Sequence, residues 1–214
     1  MDGIINVHKE KGFTSHDVVA KLRGILHQKK IGHTGTLDPD ATGVLPVCVG
    51  RATKVCELLT DKSKTYTAVV RLGVVTDTQD MTGNILEERE VSCSLEEIKE
   101  AVSAFTGEIW QTPPMYSALK VNGKRLYELA RQGIEVERKK RKIMIYSSSI
   151  TDYRPEKNEF TLKVCCSKGT YIRTLCHDIG ERLSCGAAMA SLVRTGVDDF
   201  RLEDSFTLAQ IEDI

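Results

Sequence analysis

Residues 32–46 read GHTGTLDPDATGVLP, a run that contains three glycines, two prolines and, near its centre, Asp38. Glycine and proline at this density are unfavourable inside a helix or strand, so the sequence predicts a shaped loop. Pro39 pushes the backbone of Asp38 toward extended geometry, which restricts the direction of the carboxylate. Ordering a long loop around one carboxylate is costly and indicates a functional role. The alternative is a structural cap, in which Asp38 accepts hydrogen bonds from backbone N–H groups.

Length and composition limit the class of protein. The chain has 214 residues, of which 41% are hydrophobic and 28% charged, and its formal net charge is zero. This length suits one large domain, or one domain with a small appendage. No apolar run approaches the roughly 20 residues that span a bilayer. The N-terminus also lacks the basic and apolar regions of a secretory signal. We therefore expect a cytoplasmic protein that does not contact membranes.

The seven cysteines include no C-x-x-C pair. Cys165, Cys166, Cys176 and Cys185 lie near His177 in the sequence, which leaves a metal site as one interpretation. Zinc sites usually show paired ligand spacing, and this pattern has none. The sequence instead favours reduced, mostly buried thiols, and it predicts no bound metal.

Positive charge is concentrated between residues 120 and 142. Nine lysines and arginines stand there against three glutamates, a local excess of six positive charges. Such a block on a neutral protein is able to bind a phosphate backbone. It is equally typical of a solvated charged surface, and charge alone leaves both interpretations open.

The pattern of hydrophobic residues predicts an α+β protein. Alternating or β-branched segments predict strands at 3–8, 44–49, 65–72, 107–111, 143–153, 159–167 and 189–197. Apolar spacing and capping residues predict helices at 15–26, 52–59, 95–105, 125–131 and 171–183, and another that begins at 207 in the tail. The absence of a regular βαβ alternation favours a largely antiparallel sheet.

Three further residues are candidates for chemistry or binding. Arg173 stands at the start of a predicted helix, where it could hold a carboxylate in a bidentate pair or bind a phosphate. A surface ion pair is the commoner role of a single arginine. Tyr66 lies on a predicted strand and could stack on a base, although sheet packing is the more frequent case. His33 precedes Asp38 by five residues, and a loop histidine is more often structural than catalytic.

The stretch at 32–46 resembles the catalytic motif of the TruB-type tRNA pseudouridine synthases. Other segments resemble motifs of that family in the same order along the chain. They are GRATK at 50–54, KTY at 64–66, RLG at 71–73, TDTQD at 76–80, QTPPMYSA at 111–118, KVNG at 120–123 and KGTYIR at 168–173. The resemblance extends over nearly the whole chain.

The resemblance implies a pseudouridine synthase fold, with a central, largely antiparallel mixed sheet flanked by helices. It also implies an isomerase that converts uridine 55 of the tRNA T arm to pseudouridine. Asp38 would be the catalytic aspartate and attack either the uracil ring or the ribose C1′ carbon. Arg173 would pair with that carboxylate before the substrate arrives. Tyr66 would stack on the flipped base and help to remove the proton from C5.

The same resemblance assigns the binding residues and the partners. His33 would contact the T loop, while Tyr171 and Leu192 would line the uracil pocket. The expected partner is the T-arm stem-loop of tRNA, bound by a monomer without a protein partner, metal or organic cofactor. Two alternatives stay open: a guide-RNA-dependent synthase subunit, and a tRNA-binding or folding module without turnover. The residues ATGVL at 41–45 and the compact size favour the stand-alone enzyme.

The sequence departs from the family pattern in two places. The family usually has Lys-Pro near its N-terminus, whereas this chain has Lys9-Glu10, so we expect the local turn to differ. Family members also commonly carry a small C-terminal RNA-binding domain. We expect residues 1–214 to form a single catalytic domain, with that C-terminal domain absent or truncated.

Overall fold

The structure is a computed structural model that describes residues 1–213. Ile214, the last residue of the predicted domain and of the predicted tail helix, lies outside the described residues. The strands are β1 (Gly3–Lys9), β2 (Ile31–His33), β3 (Thr42–Val49), β4 (Lys64–Leu72), β5 (Val74–Thr76), β6 (Ile85–Glu88), β7 (Gly107–Gln111), β8 (Lys120–Val121), β9 (Lys124–Arg125), β10 (Arg141–Arg154), β11 (Glu159–Cys166), β12 (Ala187–Val197) and β13 (Phe200–Arg201). The helices are α1 (Ser15–Ile25), α2 (Cys56–Thr60), α3 (Leu95–Ser103), α4 (Leu126–Ala130), α5 (Ile172–Arg182) and α6 (Leu208–Glu212).

The main sheet is mixed and largely antiparallel, which confirms the predicted α+β class. Its strand order is β1-β3-β12-β4-β11-β10-β7, with β2 also paired to β3 and β13 to β12. Strands β1 and β3 are antiparallel from the pair Gly3 and Val49 to the pair Lys9 and Gly43. Strands β3 and β12 run parallel where Thr42 lies opposite Val193. The loop that carries Asp38 therefore enters the sheet at the start of β3.

The described chain divides into two compact units. The first contains residues 1–67, 163–168 and the chain from 191 onward, and the second contains residues 68–162 and 169–190. Strands β4, β11 and β12 each contribute residues to both units. Whether residues 1–214 act as a single catalytic domain stays a prediction.

The core of the first unit is built on α1 and the strands β1 to β3. Helix α1 begins with a capping box between Thr14 and Asp17, which satisfies backbone donors of its first turn. Its apolar side chains recur at helical spacing and therefore lie on one face. The buried residues of this core are Val7, Val18, Val19, Leu22, Ile31, Leu45, Val47, Val49, Leu208 and Ile211.

The second unit is built on α3, α5 and the strands β7 and β10. Helix α3 begins at a capping box between Ser94 and Glu97 and buries Ile98 and Val102. Helix α5 is more deeply buried, and its Gly180 has no room for a side chain. A Cβ there would lie 2.1 Å from the backbone nitrogen of Ala187. The close packing at Gly180 holds the C-terminal part of α5 against the start of β12.

The structure corrects two details of the predicted elements. The helix predicted at 52–59 is a 3₁₀ segment, Gly50–Val55, followed by the short α2. Strand β2 lies inside the predicted loop, because Ile31 to His33 pair with Val49 to Val47 of β3. A three-residue strand owes its existence to this pairing and carries no periodic signal of its own. The irregular part of the loop is accordingly residues 34–41.

Candidate active site

The backbone on both sides of Asp38 is fixed by the N-terminal part of the chain. The backbone N–H of Leu37 donates to the hydroxyl of Ser15, at 2.9 Å. The carbonyl of Pro39 accepts a hydrogen bond from the amine of Lys9, at 3.1 Å. Leu37, Ser15 and Lys9 are all buried. The residues on both sides of Asp38 are thus held by buried partners, which limits the positions open to its carboxylate.

Lys9, at the end of β1, is a buried residue that contacts this loop, and in the sequence it stood out only as part of a departure from the family motif. Its amine also donates to the carbonyl of Phe13, at 2.6 Å, so it joins the turn after β1 to the loop. Burial lowers the pKa of Lys9 to about 8, and the negative charges of Asp38 and Asp40 oppose that decrease. The turn after β1 therefore contains Lys9-Glu10 where the family usually has Lys-Pro. The amine of Lys9 binds carbonyl groups of this turn, those of Glu10 and Phe13.

Arg194 on β12 is the second residue that the sequence analysis missed. Its guanidinium donates from Nε to the carbonyl of Val44, at 2.7 Å, and from Nη2 to the carbonyl of Gly35, at 3.3 Å. A signal was present in the sequence, because Leu192 and Arg194 stand two residues apart on a strand and so face the same side. The structure buries both side chains.

Tyr66 lies on β4 in the same unit as Asp38. Its side chain is buried, and burial raises the pKa of its hydroxyl. The nearby Arg194 guanidinium opposes this increase in pKa, whereas the negative charge of Asp38 adds to it. The first unit therefore places Asp38 and Arg194 each within electrostatic reach of the Tyr66 hydroxyl.

His33 lies at the end of β2, one residue before the loop. Its ring meets that of His16 edge to face, with centroids 5.1 Å apart. Burial lowers the pKa of His33, and the charge of His16 lowers it further. Near neutral pH its imidazole is therefore uncharged and able both to donate and to accept a hydrogen bond.

Arg173 belongs to the second unit, at the buried start of α5. Its Nη1 donates to the carbonyl of Thr78, at 3.1 Å, and its Nη2 to the carbonyl of Tyr116, at 2.8 Å. Its Nε lies 3.7 Å from a carboxylate oxygen of Asp80. These contacts hold the guanidinium in one orientation. The segments 76–80 and 111–118, both singled out in the sequence, supply all three of these partners.

Tyr171 immediately precedes α5 and is held through its backbone. Its N–H donates to the side-chain oxygen of Gln111, at 2.8 Å, and its carbonyl accepts from the side-chain nitrogen of Gln111, at 3.0 Å. This reciprocal pair fixes the turn between Lys168 and α5.

The roles assigned to the six site residues, including the pairing of Asp38 with Arg173, stay predictions.

Residues 1–213 contain no group of three or more histidine, cysteine, aspartate or glutamate side chains placed to hold a metal ion. The seven cysteines are free thiols. Burial raises the pKa of Cys48 and of Cys176 to about 12, so these two are poor nucleophiles at neutral pH. Among the described helices, none has the length and apolar character required to cross a bilayer.

The basic block at 120–142 is largely exposed and only partly neutralised. Arg138 pairs with Glu135, and Lys142 pairs with Glu108, both at 2.8 Å. The guanidinium of Arg131 lies 5.3 Å from the centre of the Tyr127 ring. Several other cations of the block, Lys120, Lys124, Lys139 and Lys140 among them, are exposed to solvent. The surface is therefore available to a polyanion.

Comparison with families of known proteins gives two adjoining matches, which together cover residues 23–214. The model described as "TruB family pseudouridylate synthase (N terminal domain)" matches residues 23–172. The model described as "tRNA pseudouridylate synthase B C-terminal domain" matches residues 173–214.

Individual relatives match at high identity. A protein named tRNA pseudouridine synthase B from Lachnoclostridium phytofermentans is 60% identical over 219 residues, which cover 100% of this chain and 71% of the relative. One of the same name from Alkaliphilus oremlandii is 54% identical over 212 residues, covering 99% of this chain and 70% of the relative.

Solved structures match over the full chain but at lower identity. A chain in the crystal structure of a Cbf5-Nop10-Gar1 complex superposes with a TM-score of 0.78 and 33% identity, covering 99% of this chain and 54% of that one. A chain in the structure of an H/ACA RNP bound to a substrate RNA containing 2′-deoxyuridine gives a TM-score of 0.74 and 30% identity, covering 52% of that chain. The present chain thus spans about half the length of these solved chains.

Proposed function

Because the chain belongs to the TruB family of pseudouridylate synthases, we propose that it is a tRNA pseudouridine synthase acting on uridine 55 of the T loop. The observation that carries this proposal is the setting of Asp38. Its two neighbours in the chain are held by Ser15 and Lys9, and it lies within electrostatic reach of the buried Tyr66. A carboxylate fixed in this way is prepared for attack on a bound group.

The proposed reaction is an isomerisation without a net gain or loss of atoms. The bond between N1 of uracil and C1′ of ribose breaks, the base turns, and a bond forms between C5 and C1′. C5 then loses its proton and N1 gains one. Asp38 is the proposed nucleophile, at either the ring or C1′, and the bond that it forms to the substrate breaks again before the product leaves, which returns the free carboxylate. Tyr66 is proposed to assist removal of the C5 proton. Neither step requires a metal or an organic cofactor.

The substrate must present its uracil outside the base stack, because the reacting atoms are otherwise inaccessible. We assign Tyr66, Tyr171 and Leu192 to contact with the flipped base and His33 to contact with the T loop. Phosphate groups of the T arm are assigned to the exposed basic block at 120–142, because RNA binding depends on such charges. The proposed enzyme acts as a monomer on tRNA in the cytoplasm, without a protein partner.

A guide-RNA-dependent subunit is the less favoured alternative. Its support is the fold shared with the solved Cbf5 and H/ACA RNP chains, at 30–33% identity. Relatives named tRNA pseudouridine synthase B reach 60% identity. A tRNA-binding module without turnover would not require a fixed carboxylate such as that of Asp38 within electrostatic reach of the buried Tyr66.

The test is incubation of the purified chain with an unmodified T-arm stem-loop, followed by mapping of pseudouridine by position. We expect pseudouridine at position 55 without any guide RNA. A matched stem-loop with cytidine at position 55 should stay unmodified. Pseudouridine at a different position would overturn the assignment of uridine 55 as the substrate. Pseudouridine that appears only with a guide RNA would favour the guide-RNA-dependent subunit.

A further inference from the structure

Arg194 is the largest side chain that the structure buries completely, with a residue exposure of 1%. Transferring a guanidinium from water into the protein interior is unfavourable unless its hydrogen bonds are satisfied there. The position is therefore unsuited to an arginine that only fills space. The hydrogen bonds of the Arg194 guanidinium indicate the role of this buried charge.

The guanidinium joins the two ends of the loop that carries Asp38. Nη2 donates to the carbonyl of Gly35, three residues before Asp38, and Nε donates to the carbonyl of Val44, six residues after it. Because the guanidinium group is planar and rigid, two hydrogen bonds from it fix the separation of the two carbonyl groups. A lysine amine at this position has no comparable fork.

The backbone of Arg194 holds the same end of the loop. Arg194 lies opposite Gly43 in the parallel pairing of β12 with β3. Gly43 has a φ of +110°, and a Cβ at that position would lie 2.2 Å from the carbonyl oxygen of Arg194. The close approach of the two backbones leaves the side chain of Arg194 little freedom to reach a different partner.

The other buried cations of the first unit hold different carbonyl groups. Lys9 donates to the carbonyls of Phe13 and Pro39, and Lys64 donates to those of Thr60 and Lys62. The ends of the loop are also joined by Thr34, whose N–H and hydroxyl both donate to the carbonyl of Pro46, at 3.1 Å. Among the buried cations in the described part of the first unit, only Arg194 bonds to carbonyl groups on both sides of Asp38. Its positive charge also lies within electrostatic reach of the hydroxyl of Tyr66.

We propose that Arg194 is a positioning residue of the isomerisation: it fixes both ends of the Asp38 loop and sets the carboxylate relative to the hydroxyl of Tyr66. The inference rests on the proposed function, because it concerns the geometry of that reaction. Arg194 acts through Asp38 and Tyr66 and is not assigned a contact with the substrate. Its loss should therefore affect the chemical step more than the binding of RNA.

The test compares single-turnover rates at saturating T-arm stem-loop with the Kd of the same RNA. The variants are Arg194→Lys and Arg194→Met, with Arg23→Met, an exposed arginine of α1, as the matched control. Misplacement of a catalytic group by about 1 Å costs on the order of 100-fold in rate. We expect Arg194→Met to lose about that factor while its Kd stays within about threefold, and Arg194→Lys to recover part of the rate.

A second measurement does not depend on activity. Hydrogen exchange of the free protein should be faster in Arg194→Met at residues 35–45 and unchanged in α1. The inference is overturned if Arg194→Met keeps a rate within about threefold of the parent chain, if rate and affinity fall equally, or if exchange at 35–45 is unchanged. If Arg194→Met does not fold, the rate and exchange of Arg194→Lys decide in the same way. A parent chain that forms no pseudouridine overturns the proposed function, and the exchange measurement then decides the inference alone.

Discussion

At the scale of single residues, Asp38 depends on buried neighbours for its direction. Asp38 stands between Leu37 and Pro39 in the chain. The N–H of Leu37 donates to the hydroxyl of Ser15, and the carbonyl of Pro39 accepts a hydrogen bond from Lys9. The sequence indicated that Asp38 and Pro39 would be constrained. It could not indicate which side chains hold them, because Ser15 and Lys9 are more than 20 residues away and meet the loop only in the folded chain.

Replacing Ser15 with alanine tests this support. The buried N–H of Leu37 would lose its acceptor, and an unsatisfied buried donor costs about 1–3 kcal/mol. We expect the free energy of unfolding to fall by about that amount in a urea titration and single-turnover pseudouridine formation to slow. Ser149→Ala, at an exposed position of β10, is the control and should change neither quantity. An unchanged stability for Ser15→Ala would show that the hydrogen bond contributes little.

His33 should make stability depend on pH. Burial lowers its pKa in the folded protein below the ordinary value of 6.5. As the pH falls through 6.5, the unfolded chain therefore takes up a proton before the folded protein does, and stability decreases. His33→Gln lacks this proton uptake, so the stability advantage of the parent chain over the variant should shrink between pH 7.5 and pH 5.5. Thermal unfolding of both proteins measures this difference, and a constant difference over that range would contradict the assignment.

At the scale of the elements, the predicted strands and helices correspond to the structure where a periodic pattern was present. Strand β4 alternates buried and half-buried residues along its length, and α3 begins at the predicted capping box. Strand β2 could not be located in this way, and the two-residue spacing of Arg194 from Leu192 indicated a shared face of β12 but not the burial of a charged side chain. A three-residue strand exists only through its pairing with β3, and a buried arginine contradicts the rule that charged residues lie at the surface.

Gly43 is the position where the loop joins β3, and it should tolerate no side chain. Its φ of +110° is unfavourable for other residues, and an added Cβ would collide with the backbone of Arg194. We expect Gly43→Ala to lower the melting temperature and to reduce turnover by at least about 100-fold, as a displaced catalytic loop would. Gly3→Ala is the control, because a Cβ there would meet no atom within 4 Å. Turnover in Gly43→Ala equal to that of the parent chain would contradict the proposed role of the loop geometry.

At the scale of the whole molecule, neutral net charge coexists with a basic surface suited to RNA. The zero formal charge gave no indication of a nucleic-acid partner, whereas the local excess at 120–142 left such a partner open beside a solvated surface. The fold predicted from the motifs is confirmed by the sheet order and by solved chains that superpose over 99% of the sequence. The family assignment is confirmed by models that together match residues 23–214.

The basic block should contribute to RNA affinity through its charge. Lys139 and Lys140 are exposed, and each phosphate contact that they make releases bound cations from the RNA. We expect the double change to alanine to weaken binding of the T-arm stem-loop and to lower the slope of log K against log salt by about 1–2. The matched control is Lys29→Ala with Lys30→Ala, at exposed positions outside the block. An unchanged slope in the Lys139 and Lys140 variant would indicate that these charges face only solvent.

The central claim is that the Asp38 carboxylate is required for the reaction of the uridine but not for binding of the RNA. The most direct measurement uses a T-arm stem-loop labelled with tritium at C5 of uridine 55, because C5 must lose its hydrogen when pseudouridine forms. We predict that the parent chain releases the label to water and that Asp38→Asn releases none, while both bind the stem-loop with Kd values within about threefold. Release of tritium by Asp38→Asn at a rate near that of the parent chain would contradict the account.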